Sequence, residues 1–152
     1  MERVAEDVDF YTVGYEGRGI EDFVEELVGS DIEVLVDVRE IPASRKPGFS
    51  KSRLSERVTV EGIEYVHIRS LGSPRESRKK LRAGGDFESF SREYADHLEC
   101  NMEDVESLLD LILSGKRAAL MCFEKDHTQC HRTILAQELL DGSVDDLRVF
   151  HL

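Results

Sequence analysis

The run Glu33-Val-Leu-Val-Asp-Val38 constrains this chain more than any other segment. Its apolar residues follow one another without alternation, so it presents no water-facing side. Such a strand suits a parallel sheet covered on both faces. Four further segments read as strands: Asp9–Gly14, Glu64–Ile68, Arg117–Cys122 and Leu147–His151.

Helical patterns separate them. Ile20, Phe23, Val24, Leu27 and Val28 recur at helical spacing, with Gly29 near the end. Leu54 and Val58 mark a short helix over Lys51–Val58, and Phe87, Phe90, Tyr94 and Leu98 mark another. Asn101 is placed to cap a helix whose inward face is Val105, Leu108, Leu109 and Ile112, with Glu103 and Asp104 at its positive dipole end. His131–Leu140 forms a last helix before Gly142. Glu40–Ser50 reads as a loop, and Leu71–Asp86, rich in Gly, Pro and Arg, as a mobile one.

Strands that alternate with helices predict a three-layer α/β sandwich with a mostly parallel sheet of five strands. The expected order is 3-2-1-4-5, by analogy with doubly wound folds. No repeat or linker interrupts the 152 residues, which are expected to form a single domain, 1–152. Ligands of such folds bind outside the carboxyl ends of the strands. That rule gathers the Gly14–Gly19 turn, the Arg39–Lys51 and Arg69–Arg82 loops and the Cys122–His131 loop at one edge.

Charge points to the same edge. The chain carries a net −12, with 34% charged and 40% hydrophobic residues, and is globular rather than disordered. Arg39–Arg82 holds twelve basic against five acidic residues, a net +7, so the remainder carries −19. Basic charge collected in one segment of an acidic protein suits an anionic ligand, although acidic helices also serve solubility. No apolar run is long enough to cross a bilayer, and the acidic start lacks a leader's apolar stretch, so no membrane partner and a cytoplasmic location are expected. The three cysteines, Cys100, Cys122 and Cys130, are too few for a disulfide scaffold and are expected to be reduced; a Cys122–Cys130 bridge requires suitable geometry.

The densest chemistry lies in Cys122-Phe-Glu124-Lys-Asp-His127-Thr-Gln-Cys130-His131-Arg132. Cys122 ends a strand and Cys130 precedes a helix, where a thiol beside a cation gains thiolate character. A thiolate nucleophile with His127 or His131 as base, and Glu124 to orient or move a proton, makes a candidate catalytic set. The thiol-phosphatase spacing is absent, because Thr128 stands where its arginine would fall, and the segment is not a rhodanese loop. Two buried structural cysteines explain the segment equally well. Cys122, His127, Cys130 and His131 are all zinc-ligand types, but adjacent residues rarely face one ion and paired-cysteine spacing is lacking. No metal or cofactor is therefore assigned.

Asp37 and Arg39 share one face of a strand, where they either pair or leave Arg39 for a ligand. Arg39, Arg45 and Arg132, with the Ser44 hydroxyl, form the candidate anion clamp. The Gly14–Gly19 turn matches neither a dinucleotide nor a P-loop pattern. Arg75–Arg82 can follow a nucleic-acid backbone, without interleaved aromatics for base stacking. Tyr65 and His67 either face the same pocket or pack the core.

Taken together, Thr12-Val-Gly-Tyr15, Leu35-Val-Asp37-Val-Arg39 with Pro42 and Ser44, Gly62-Ile-Glu-Tyr65, Leu71-Gly72, Leu120-Met-Cys122-Phe-Glu124 and Cys130-His131-Arg132 resemble the domain of unknown function 488 family. The resemblance implies a compact α/β domain and no established reaction. The family more often carries histidine where this chain has Tyr15, so a polar role there passes to the Tyr15 hydroxyl or is absent. The leading expectation is an enzyme for a phosphate-bearing small molecule or nucleic acid. A non-catalytic nucleic-acid-binding module and a zinc-stabilised structural domain are the alternatives.

Overall fold

The computed structural model describes residues 8–152. β1 (Val8–Gly14), β2 (Val34–Asp37), β3 (Glu64–His67), β4 (Ala118–Cys122) and β5 (Leu147–His151) form one sheet, and every pairing in it is parallel. α1 (Ile20–Gly29) and α2 (Lys51–Val60) pack on one face. α4 (Phe87–Glu99), α5 (Met102–Leu113) and α6 (His131–Gly142) pack on the other. The α/β sandwich expected from the alternating pattern is what forms.

The strand order is β3-β2-β4-β1-β5, which corrects the expected 3-2-1-4-5 by exchanging β1 and β4. Burial explains the exchange. Every residue of β4 is buried, whereas Val8, Asp9 and Tyr11 of β1 are only half-buried. The strand with no polar side takes the centre, and β1 takes a place nearer the edge, where Arg148 of β5 meets Asp9 at 2.9 Å.

Alternation along the central strands divides the core in two. Val34, Val36, Ala118 and Leu120 face Tyr94, Leu108, Ile112 and Leu135. Leu35, Ala119 and Met121 face Phe23, Leu27, Leu54 and Val58. Each large apolar side chain buried this way contributes roughly 1.5–3 kcal/mol. Glu21 and Asp22 in the first turn of α1 complement its dipole.

Two local expectations are corrected. The segment read as a mobile loop contains a 3-10 turn at Arg69–Leu71 and α3 (Arg75–Arg82). Pro74 sits at its N-cap, outside the helix it would otherwise break, and Arg, Lys, Glu and Leu are good helix formers. Asn101 occupies the N-cap of α5 without capping it; its amide donates to the His97 carbonyl of α4 at 2.8 Å. Glu103 and Asp104 do lie in the first turn of α5.

Close backbone approaches bring the loops together at the carboxyl edge. A Cβ on Gly14 would overlap the Glu124 carbonyl oxygen, and one on Gly72 would overlap the Glu40 backbone nitrogen. Among the described residues no helix is long and apolar enough to cross a membrane.

Candidate functional site

Parallel register sets the carboxyl ends of the strands side by side: Gly14 lies opposite Cys122, and Asp37 lies opposite both Met121 and His67. Beyond them opens a cavity of about 610 Å³. Four segments distant in sequence line it: Tyr15, the Arg39–Lys46 stretch, Ser73 with Arg78 and Arg82, and Cys122–Glu124 with His131. These include Tyr15, Arg39, Ser44, Arg45, Cys122, Glu124 and His131 of the sequence-derived set. Cys130 and Arg132 do not reach the cavity wall.

Arg39 is buried and largely committed. Its Nε and Nη2 donate to the two oxygens of Asp37 at 2.9 and 2.8 Å, and its Nη1 donates to the Tyr15 hydroxyl at 3.2 Å. Burial opposes the guanidinium charge, but the Asp37 carboxylate more than restores it and holds the group above its ordinary value. Asp37 also accepts from the Arg39 backbone at 3.1 Å and from the Tyr65 hydroxyl at 2.5 Å. Burial first, and that hydrogen bond second, push the Tyr65 phenol up. His67 donates through Nε2 to the Arg39 carbonyl at 2.8 Å. Tyr65 and His67 thus brace the Asp37–Arg39 pair.

The Arg39–Lys46 loop is pinned from within. Ser44 and Ser50 exchange two hydrogen bonds at 3.1 Å, and Ser44 Oγ accepts from the Lys46 backbone at 3.1 Å. Lys46 Nζ donates to the Tyr15 carbonyl at 3.0 Å. The Tyr15 ring stacks on Phe49 at 4.5 Å and meets the edge of Phe123 at 5.3 Å. Arg78 pairs with Glu40 at 3.2 Å. Among the described residues, Arg45 and Arg82 form no hydrogen bond or ion pair, although both line the cavity.

Behind the cavity wall, against Cys122, Arg132 is fully buried. Its Nη1 donates to Cys122 Sγ at 2.9 Å and to the Glu124 carbonyl, its Nη2 to the Lys125 carbonyl at 3.3 Å, and its Nε to Thr12 Oγ1 at 3.2 Å. It shapes the loop after β4 and sets a positive charge against the Cys122 sulfur. The cysteines are free thiols. Cys130 caps α6, accepting from the Arg132 backbone at 3.5 Å, and burial holds its thiol well up and neutral. His131 is also buried. Its Nε2 donates to the Val38 carbonyl at 2.6 Å, which leaves Nδ1 bare, 3.6 Å from Cys130 Sγ. Burial lowers the imidazole and keeps it neutral.

The ligand atoms of Cys122, Glu124 and Cys130 all lie within 4.8 Å of one another. The zinc set weighed from sequence does not assemble in that form. His127 instead stacks flat on His151 at 3.6 Å.

The sequence-derived site omitted Lys46, Arg78 and Arg82, and it omitted Phe123, whose ring is 42% exposed. Arg78 and Arg82 are four residues apart, which places them on one face only if the segment is helical. Read as a loop, it concealed that spacing.

One curated relative is similar in sequence, the S-adenosylmethionine:tRNA ribosyltransferase-isomerase of Coxiella burnetii (strain CbuG_Q212), at 27% identity over 129 residues. The match takes in 79% of this chain but spans only 38% of that protein's length. No solved structure matches the chain. A family model, described as domain of unknown function DUF488, matches residues 19–139, and the chain belongs to that family.

Proposed function

We propose that the protein is an enzyme that holds a phosphate-bearing substrate in the basic cavity and acts on it at the floor formed by Cys122 and Glu124. The carrying observation is that Arg45 and Arg82, both without a partner among the described residues, line the same cavity as Cys122, Glu124 and His131. Guanidinium groups grip phosphate oxygens through paired N–H donors. Arg39 contributes field rather than a free fork, because Asp37 occupies two of its nitrogens. The volume of about 610 Å³ falls within the roughly 300–1,000 Å³ range of small-molecule sites. Exposed Ile41 and Phe123 at the cavity offer apolar surface to a nucleobase. A nucleotide or nucleic acid agrees with the tRNA substrate in the name of the Coxiella burnetii relative.

Calorimetric titration with inorganic pyrophosphate and with a nucleoside diphosphate tests this reading. Arg45→Ala and Arg82→Ala are expected to weaken binding about tenfold each, the loss of one charge-assisted contact. Unchanged affinity in both variants would remove the proposal. A non-catalytic nucleic-acid module on α3 gives a different result: oligonucleotide affinity that falls steeply with salt and ignores Cys122→Ser.

A further inference from the structure

We propose that Cys122, Glu124 and Cys130 form a binding site for a divalent zinc-class ion at the floor of the basic cavity. Three observations carry it. The first is geometric. The three ligand atoms lie within 4.8 Å of one another. A tetrahedral ion bound by two sulfurs and an oxygen sets its ligands about 3.5–3.8 Å apart, so closure requires shifts of less than about one ångström per ligand.

The second is charge. Arg132 is fully buried, and among the described residues its guanidinium meets carbonyls, one hydroxyl and the Cys122 sulfur, but no carboxylate. Two thiolates and the Glu124 carboxylate carry three negative charges. A divalent ion and Arg132 carry three positive ones, so the loaded site is neutral. Without the ion, the Cys122 sulfur is the one group in direct contact with this buried guanidinium, among the described residues, that can carry negative charge, a weakly compensated arrangement.

The third is openness. Cys130 is buried and out of the cavity, whereas Cys122 and half-buried Glu124 line it. Three protein ligands with a fourth position facing a cavity is the arrangement of a catalytic rather than a structural zinc site. Two sulfur ligands exclude magnesium and calcium, which take oxygen. The Arg132 backbone N–H at the start of α6 reaches Cys130 Sγ and supports that sulfur once the ion displaces its proton. The site stands on its own geometry. Its task, holding Cys122 as thiolate and drawing substrate oxygen toward the fourth position, rests on the phosphate reading.

Cobalt(II) titration of the full chain, reduced and stripped with chelator under inert gas, tests the site. One equivalent per chain is expected, with sulfur-to-cobalt charge-transfer absorption in the near ultraviolet and displacement of the signal by zinc. Cys122→Ser and Cys130→Ser should each abolish the charge-transfer band or weaken binding at least about tenfold. Glu124→Gln should weaken binding while keeping the band. Cys100→Ser should change nothing, since Cys100 is exposed and away from the cavity. Circular dichroism of each variant shows that it folds, and the wild-type titration does not depend on the variants. Absence of the band in wild-type protein with its thiols titrated as free would overturn the site. Pyrophosphate binding, measured in parallel on metal-free protein, separates the two proposals: retained phosphate affinity without cobalt uptake defeats the metal site alone.

Discussion

Arg132 Nη1 donates to Cys122 Sγ at 2.9 Å across the end of the central strand, with the same guanidinium tied to two loop carbonyls and to Thr12. One buried side chain thereby sets both the path of the loop after β4 and the charge beside its cysteine. Arg132→Met keeps the bulk and removes the donors. Each buried acceptor left unsatisfied costs about 1–3 kcal/mol, so a clear fall in the urea midpoint is expected. A midpoint equal to wild type would show that the guanidinium contributes nothing to stability.

The Asp37–Arg39 pair predicts an asymmetry. Asp37→Asn strands a buried guanidinium and should cost about 3–5 kcal/mol. Tyr65→Phe removes one hydrogen bond to the same carboxylate and should cost only about 1 kcal/mol. Equal losses in chemical denaturation would argue against the pair as the anchor of this edge.

Gly14→Ala introduces a methyl where the Glu124 carbonyl and Arg132 Nη1 already sit. Overpacking of this kind costs about 1–3 kcal/mol, and here the loop carrying Glu124 must move. Reduced pyrophosphate affinity together with a lowered melting temperature is expected. Gly17→Ala, at a position with open space but a φ of 76°, should disturb stability and leave binding intact.

The edge of the sheet beside β5 predicts a pH dependence. Arg132 Nε donates to Thr12 Oγ1, whose hydroxyl lies 2.5 Å from His151 Nδ1. Burial, then the neighbouring His127 and Arg132 charges, lowers His151. The unfolded chain therefore takes up this proton first, near pH 6.5, so this contribution is complete above that value and is lost as pH falls toward the lower folded value. Wild type should lose more stability than His151→Gln between pH 7.5 and 5.5. Parallel losses in the two proteins would refute the assignment.

How much of the molecule was legible without coordinates follows from interaction range. The all-apolar run around Val34–Val36 announced a strand buried on both faces, Arg117–Cys122 announced another strand, and helical spacing announced α1, α2, α4 and α5. Those patterns are periodic along the chain. The family was legible too, in the segments around Asp37-Val-Arg39 and Cys130-His131-Arg132. α3 was not, because Pro74 and the glycines that bound it resemble loop punctuation when their positions relative to a helix are unknown.

The sequence alone determined a five-stranded α/β sheet, the carboxyl-end placement of its loops, and a segment of concentrated positive charge. Only the tertiary structure decided which charges remain available. Arg39 and Arg132, the arginines most conspicuous in the motifs, are committed to Asp37 and to loop carbonyls, while Arg45 and Arg82 meet at the cavity with no partner among the described residues. It also decided that β4 rather than β1 takes the centre, which sets Asp37 opposite Met121, and it brings Glu124 and Cys130 around Cys122. Hydrophobic periodicity is local and reads off the chain. Asp37 and Arg39 stand two residues apart, so their pairing was one of two readings open to the sequence. That Arg132 reaches Thr12, 120 residues away, and that Arg45 and Arg82 line one cavity depend on distances between remote segments, which no local pattern encodes.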